Sequence, residues 1–555
     1  MDRRTYLKVA GGAAITATVA GCSEIIDDPT PEPEERTPAT PEPDVPEEEE
    51  EPPEEDPMEK FENIVDMVDE AGCDPDGVDP CDEQLREHAA DDTLLVFQPG
   101  EYLLEKENHL EGYETLGIIG AERGAVRFVA PPDHNGIWFR IDNGYDLLFE
   151  NVDFDVTASN SAPTVQLSVF DGLLVRDVEI IGRGMRDDSL PGPYQGNASV
   201  GSALLPVVRS EDGTGRVERF VALEGSRLGE YNQGEGRVGI YIGQSHRGTI
   251  QLVDCHLEEF ANNGIYASRT RGIVQVIGGT FRNNDISQVR LGSEGSYVSN
   301  ATVEVDTGTV KSPNDPDDLL NPRGIRIESG NIETAGVEVR DTFVHLVNAS
   351  SIGLEIGRAG GTFHIENTEF QIDGDNSVAI LGKEPDGGLH PVPPRPHGGT
   401  IKNVKIGGTS HENHSLWLIG RPETTIENVT INQPTSGQDG IYLRDSPGCT
   451  IAGSSISVGR YPILVEVGED IDQDACLVRL DDNQGFESNT NVGSSANRSF
   501  DDGDVIELGG GELANSTPCI RLDSISQSVE GNLTFAIAND CHGCVTEIVY
   551  PVNNR

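Results

Sequence analysis

Gly239-Ile240-Tyr241-Ile242 returns as Gly264-Ile265-Tyr266-Ala267, then as Gly324-Ile325-Arg326-Ile327, Gly353-Leu354-Glu355-Ile356 and Gly440-Ile441-Tyr442-Leu443. Looser copies fill the gaps: Gln288-Val289-Arg290-Leu291, Val378-Ala379-Ile380, Leu416-Trp417-Leu418 and Ile463-Leu464-Val465. Between the central residues of successive copies the steps are 25, 24, 36, 29, 24, 38, 25 and 22 residues. A modal step of 22–25 residues with occasional insertions is the mark of a solenoid. Leucine-rich repeats share the period, but their Leu and Asn spacing is absent.

Further apolar-alternating runs lie between the copies, such as Thr249-Ile250-Gln251-Leu252-Val253 and Thr425-Ile426-Glu427-Asn428-Val429-Thr430-Ile431. Gly, Asn, Asp and Ser separate them, as turns require. Two or three short strands per repeat predict a right-handed parallel β-helix. Its coils stack at about 4.8 Å, and inward Ile, Val and Leu form a continuous core. The fold class expected is all-β, with the solenoid over residues 93–468. A short helical cap at 58–92 precedes it, with helices over Met58–Gly72 and Asp82–Ala90. After residue 468 the rhythm is lost. Residues 469–555 read as a small β-rich, cysteine-bearing module, either a sandwich or the last coils plus a cap.

Leu94-Leu95-Val96-Phe97-Gln98-Pro99-Gly100-Glu101-Tyr102-Leu103-Leu104 resembles the opening of the pectate-lyase-like β-helix superfamily, where a Pro-Gly-x-Tyr strand enters the first coil. The resemblance covers residues 58–468. It implies the fold and leaves the reaction open, because this fold hosts lyases, hydrolases, epimerases, adhesins and inert surface proteins. The Asn-Thr-Asp, paired Asp and Gly-His-Gly pattern of the polygalacturonase family is absent, and Asp187-Asp188 does not replace it. No pectate-lyase calcium and arginine motif is present either. Both absences argue against pectin chemistry in particular.

At the N-terminus, Arg3-Arg4-Thr5-Tyr6-Leu7-Lys8 resembles a twin-arginine export signal. The stretch from Val9 to Gly21 is too short and too rich in Gly, Ala and Thr to span a bilayer. Val19-Ala20-Gly21-Cys22 resembles a lipobox, which implies lipid on the Cys22 sulfur. Residues 1–22 are thus expected to be an address, and the mature protein to sit outside the cell on the membrane's outer face. Residues 23–57, rich in Pro and Glu, cannot bury a core and read as an extended tether with a reach of roughly 100 Å.

Acidic residues number 96 against 39 Lys and Arg, for a net charge of −57. Only Lys8, Lys60, Lys106, Lys311, Lys383, Lys402 and Lys405 are lysines. Self-repulsion on this scale opposes a compact fold at low salt, and molar salt, with a Debye length of roughly 3 Å, relieves it. The composition resembles that of a halophile, of the kind found among archaea of strong brines. No basic patch suits nucleic acid.

Of nine cysteines, eight remain after Cys22, an even number that suggests disulfides outside the cell. Cys73 and Cys81 are close enough to staple one loop. Cys541-His542-Gly543-Cys544 with Cys476 and Cys519 could instead be a zinc site, though disulfides suit the spacing better. Asp74, Asp76, Asp79 and Asp82 around Gly77 resemble a calcium loop, but their order is not that of an EF-hand. They read as a solvated acidic turn, and no metal or other cofactor is expected. Eight Asn-x-Ser/Thr sequons occur, at Asn197, Asn300, Asn348, Asn413, Asn428, Asn497, Asn515 and Asn532. An exported protein can be glycosylated at such sites, and a turn-rich sequence also produces them by chance.

Alternation puts the central residue of each signature on the outside when its Ile, Val and Leu neighbours point inward. The outer column then reads Tyr241, Tyr266, Arg290, Arg326, Glu355, Ala379, Trp417, Tyr442 and Leu464, extended upstream by Ile137-Trp138-Phe139. It runs about 40 Å over eight steps, enough for a polymer. Aromatic rings stack on sugars, and arginine binds carboxylate or sulfate bidentately. Tyr241, Trp417, Tyr442 and Trp138 are therefore candidate polysaccharide-binding residues. For a lyase, Arg290 and Arg326 would neutralise a uronate while Tyr266 or an arginine takes the proton. For a glycosidase, Glu355 and Glu328 would be the carboxylate pair, with Asp285 next and His246 a further acid or base. The alternative is a non-catalytic surface or adhesion rod whose column is only its outer face.

Overall fold

The computed structural model describes residues 60–185, 201–228, 236–311, 322–329, 336–386, 392–466, 476–481 and 483–488, and the backbone of five later strands between 505 and 550. The expected export signal, lipobox and tether lie outside the described residues, as does Cys541-His542-Gly543-Cys544.

Each coil is three short strands. After Tyr241 they are Thr249–Val253, His256–Glu258 and Asn263–Tyr266, and the next coil repeats them as Ile273–Ile277, Thr280–Arg282 and Ser287–Leu291. Every one pairs in parallel with its counterpart one coil on. Stacking builds three columns, and the chain is a parallel β-helix. One column is a 14-stranded sheet, the front sheet, which holds the Gly-Ile-x signatures. The other two are side columns. They merge into one 31-stranded sheet because the long strands Leu173–Ile181 and Thr214–Ala222 pair with both.

The register explains the core. One inward stack runs Leu95, Ile118, Phe149, Val175, Val217, Leu252, Val276, Val298, Val339, Ile365, Ile401, Ile426, Ile451 and Leu480. All are buried, each contributing about 1.5–3 kcal/mol of transfer free energy. The first coils are filled by rings instead: Phe97, Tyr102 and Phe128 meet edge-on at 4.9–6.4 Å.

Corner chemistry fits the turn residues. Between the two side columns, Asn151, Asp177, Asp254, Asn300, Asp341, Asn367, Asn403 and Asn428 take φ of 48–57°, a left-handed conformation that Asn and Asp tolerate best after Gly. The Asn428 amide donates to Asn403 (3.3 Å) and that of Asn403 to Asn367 (3.1 Å). Two sequons, at Asn300 and Asn428, are thus corner positions. The Asn348 and Asn413 amides likewise donate within the fold, to Asp306 and Asn376. The signature glycine has a separate cause. A Cβ on Gly239 would lie 2.5 Å from the Gly264 carbonyl oxygen, and one on Gly264 2.6 Å from that of Gln288.

Two expectations change at the ends. The helix over Met58–Gly72 is replaced by a strand, Asn63–Asp66, paired in parallel with Thr93–Phe97. Phe61, Ile64, Val65 and Val68 follow the helical spacing i, i+3, i+4, i+7, which is why the sequence predicts a helix there. The strand prevails because it covers the first coil's open edge. The second helix holds, as Asp82–His88, and Cys73–Cys81 form a disulfide. Asp74 accepts from the backbone N–H of Asp76, Val78 and Asp79, the acidic turn expected. At the other end, Cys476–Asp481 and Gly485–Ser488 lie parallel on Cys449–Ala452 and Ser455–Val458, so the coils run one turn past residue 468. Val505–Leu508, Cys519–Arg521, Leu533–Ala538 and Val545–Tyr550 then pair antiparallel. Cys255 and Cys449, which made up the even set of cysteines, are buried free thiols. Burial pushes each up to about 12.

Candidate functional site

The front sheet carries one outward row in register: Tyr241, Tyr266, Arg290, Arg326, Glu355, Leu381, Trp417, Tyr442 and Leu464. Leu381 takes the place expected for Ala379. Val378 pairs with Ile352 and Ile380 with Leu354, which carries Leu381 to Glu355. Trp138 does not extend the row. It is fully buried in the core, its indole N–H donates to the Leu104 carbonyl at 3.0 Å, and it packs against Phe154. The strand that holds it shifts register between Ile137 and Phe139, so alternation read from the later copies fails there. Arg140 and Gln166 occupy the sheet's outward line upstream instead.

At the centre of the row is an ion-pair network. Arg290 and Arg326 both reach Glu328, at 2.7 and 2.8 Å. Arg326 also reaches Glu355 at 3.3 Å, Lys383 reaches it at 2.9 Å, and Arg323 closes on its other side. Glu355 is fully buried. Burial pushes its carboxyl up, but Arg323, Arg326 and Lys383 together outweigh burial and hold it below the usual carboxylate range. Burial and the neighbouring Arg290 pull Arg326 down, against the attraction of Glu355 and Glu328. Among the described residues, four bases meet two carboxylates here. Asp285 is buried two residues before the strand of Arg290. The Arg290 guanidinium lies over the Tyr266 ring at 4.7 Å, a cation–π contact, while its buried Nε has no hydrogen-bond partner.

An aromatic platform follows two rungs on. Trp417 and Tyr442 stack at 5.5 Å with 25° between their planes. The Tyr442 hydroxyl donates to Glu466. His414 packs on both rings at 5.1 and 4.6 Å and reaches the fully buried Asp439 at 3.0 Å, where Arg460 also binds. The Trp417 indole N–H is buried without a partner. At the other end Tyr241 and Tyr266 meet edge-on at 5.4 Å.

His246 does not join the row. It is buried, accepts from the Val208 N–H at 3.2 Å and bridges to the Ile273 carbonyl at 3.2 Å. Burial lowers its pKa to about 4, which suits a neutral strut between coils and not an acid–base group near neutrality. Arg323, Lys383, His414 and Asp439 escape the central-residue rule, because they start or follow their strands. Their signal lies in the residues that flank each signature: Arg323 opens Arg323-Gly324-Ile325-Arg326-Ile327, and Lys383 follows Gly382. Among the described residues no group of three or more His, Cys, Asp and Glu side chains converges to hold a metal ion.

Two inserted segments account for the long steps of 36 and 38 residues, one preceding a front strand and the other following one. The segment 303–322 leads into Arg323–Ile327, and residues 312–321 of it lie outside the described residues. The segment 384–400 follows Val378–Gly382, with residues 387–391 outside the described set. Its Glu384 and Pro385 lie against Gly420, and Asp386 pairs with Arg358.

No protein-family model matches the chain, and no curated protein matches it. Among solved structures it is similar to the A-module of a mannuronan C-5 epimerase from Azotobacter vinelandii, at 13% identity and TM-score 0.34 over 71% of this chain and 99% of that one. It is similar to the catalytic unit of a thermostable GH87 α-1,3-glucanase from Streptomyces thermodiastaticus, at 13% identity and TM-score 0.34 over 77% and 69%. It is also similar to PfbA, a surface adhesin of Streptococcus pneumoniae, at 12% identity and TM-score 0.32 over 77% and 92%. Each likeness is remote and lends no weight to any one activity.

Proposed function

We propose that this chain is an exported, lipid-anchored protein that binds an extended acidic polysaccharide along the row of its front sheet. One observation carries the reading. A single rigid row holds, in register, a tyrosine pair, a base-rich cluster and a stacked Trp–Tyr pair. Rings stack on the apolar faces of sugars, and the bases gathered along the row attract carboxylate or sulfate in a protein that is otherwise strongly acidic. The unpartnered N–H groups of Arg290 and Trp417 are costly unless an acceptor meets them, and sugar hydroxyls supply acceptors. The signal, the lipid on Cys22 and the tether rest on the sequence motifs alone.

Binding is favoured over glycoside hydrolysis. That reaction needs one carboxyl with a raised pKa as its acid, whereas Glu355 is held low by three cations. A second reading, β-elimination, draws on Tyr266, whose ring is met by both Arg269 and Arg290. The test is to incubate the purified full chain in molar salt with acidic and neutral polysaccharides. Absorbance of unsaturated products and release of reducing ends are followed alongside binding. Binding without either product supports the first reading. Unsaturated products that vanish in Tyr266→Phe establish the second. Reducing ends without unsaturation would contradict both and make the protein a hydrolase.

A further inference from the structure

Beside the tyrosine end of the row lies a cavity of about 340 Å³. Tyr241 forms part of its wall, and Arg209, Arg269, Gln166, Ser168 and Gln244 supply its polar groups. The apolar side is given by Leu205 and Val207, which pack with Tyr241 and Tyr266. None of these flanking groups belongs to the repeat signature. Three of them, Arg209, Gln244 and Arg269, come from the turns that leave successive front strands.

The two arginines differ in a way that matters. Arg209 is committed: it donates to Ser168 at 2.7 Å and to Asn143 at 2.9 Å, and Asp142 lies 3.7 Å away. Arg269 has no acid. It lies over the Tyr266 ring at 5.4 Å and hydrogen-bonds the Tyr241 hydroxyl, and among the described residues no carboxylate pairs with it. In a chain with 96 acidic residues against 39 bases, an arginine left without an acid while it faces a cavity is a vacant oxyanion partner. Its contacts with the Tyr266 ring and the Tyr241 hydroxyl restrain the guanidinium, so less freedom is lost on binding. The Tyr241 ring is fixed as well: a Cβ on Gly243 would come within 2.8 Å of it, so the glycine makes room for the ring to lie over the chain.

We infer that this cavity is a subsite for one sugar residue bearing an oxyanion, either a carboxylate or a sulfate. Arg269 holds the charged group, Tyr241 meets the ring, and Gln166 and Gln244 take hydroxyls. The inference rests on the polysaccharide reading above and sharpens it, since it places charge recognition at Arg269 and not at the closed Arg290–Glu328–Arg326–Glu355 network.

The test is binding of the full chain in molar salt to polygalacturonate, alginate and dextran sulfate, with carboxyl-reduced polygalacturonate and dextran as neutral controls. Arg269→Gln, Arg269→Lys and Trp417→Ala are compared with wild type, each checked for an unchanged thermal midpoint. The expected result is preference for one charged polymer over its neutral control. Arg269→Gln weakens that polymer roughly tenfold or more and removes the preference, while Arg269→Lys restores part of it. Loss confined to uronate polymers assigns the oxyanion as carboxylate, and loss confined to dextran sulfate assigns it as sulfate. If Arg269→Gln keeps affinity and preference while Trp417→Ala loses binding, the subsite is wrong and the polysaccharide reading stands. If wild type binds none of the polymers, both fall together.

Discussion

The front sheet and the side columns obey the same alternation, yet they treat their outward residues differently. On the side columns, Thr362–Glu366 exposes His364 and Glu366 between buried Phe363 and Ile365, and Thr430–Gln433 exposes Thr430 and Asn432. On the front sheet, Val238–Tyr241, Asn263–Tyr266 and Ser287–Leu291 are buried at every position. The outward side chains there are large and cover one another: Tyr on Tyr, Arg on Tyr, Arg on Glu. Past the first coils, where Phe61 packs with Leu94, Val96 and Ile119, such side-column strands present an ordinary solvated surface. The front sheet has a second, polar layer outside its core, and a protein does not order such a layer without cost unless something uses it.

The sharpest way to break the contrast is at Glu355. Glu355→Gln leaves Arg323, Arg326 and Lys383 without their shared carboxylate and is expected to cost about 3–5 kcal/mol, read as a fall in thermal midpoint. Glu366→Gln, on a side column, should leave the midpoint almost unchanged. If both changes are equally mild, the front layer is as loose as the side faces and the contrast fails.

Two buried groups sharpen it through pH, with opposite signs. His246 titrates at about 4 in the fold against 6.5 ordinarily. The unfolded chain therefore binds its proton first, and stability falls as pH drops from about 6.5 to 4, by up to roughly 3 kcal/mol. In His246→Gln that slope should flatten. Asp153, on a side column, runs the other way. Burial is the main cause that raises it to about 6 from 3.8, so the fold holds the proton longer and stability falls as pH rises from about 4 to 6. Asp153→Asn should therefore stabilise the protein at pH 7 by up to roughly 2 kcal/mol after solvent screening and do little at pH 3. Chemical unfolding across pH checks both, and an unchanged slope in either variant would show that the group is solvated.

Much of this fold was legible because a solenoid repeats its own evidence. The Gly-Ile-x-Ile copies give the period, and the Asn and Asp corners give the turns. The row from Tyr241 to Tyr442 follows from alternation within each copy. Legibility ended where the repeat is imperfect. Trp138 lies in a strand with a register shift, so its side chain points into the core. The copy around Ala379 is anchored two residues later than it reads, which puts Leu381 in the row. Asn63–Asp66 is too short for its period to separate strand from helix. The site was half legible for a different reason. Arg290, Arg326 and Glu355 sit at signature centres, whereas Arg323, Lys383 and Arg269 lie at strand ends, and only register shows that they converge.

At Trp417 the expected change in stability is modest and the change in function is the most telling. Trp417 is half-buried, so Trp417→Ala should cost little stability. It removes one face of the stacked pair, worth about 0.5–1.5 kcal/mol of ligand contact, or up to roughly tenfold in affinity. The most direct test of the front row as a polysaccharide site is therefore one titration series. Wild type, Trp417→Ala and the side-column variant His364→Ala are titrated in molar salt with the polysaccharide that wild type binds best. Tight binding by wild type and His364→Ala, with clear weakening in Trp417→Ala, is the expected result. Equal binding by all three would place the ligand elsewhere, and a folded wild type that binds no polysaccharide would leave the β-helix as a structural rod.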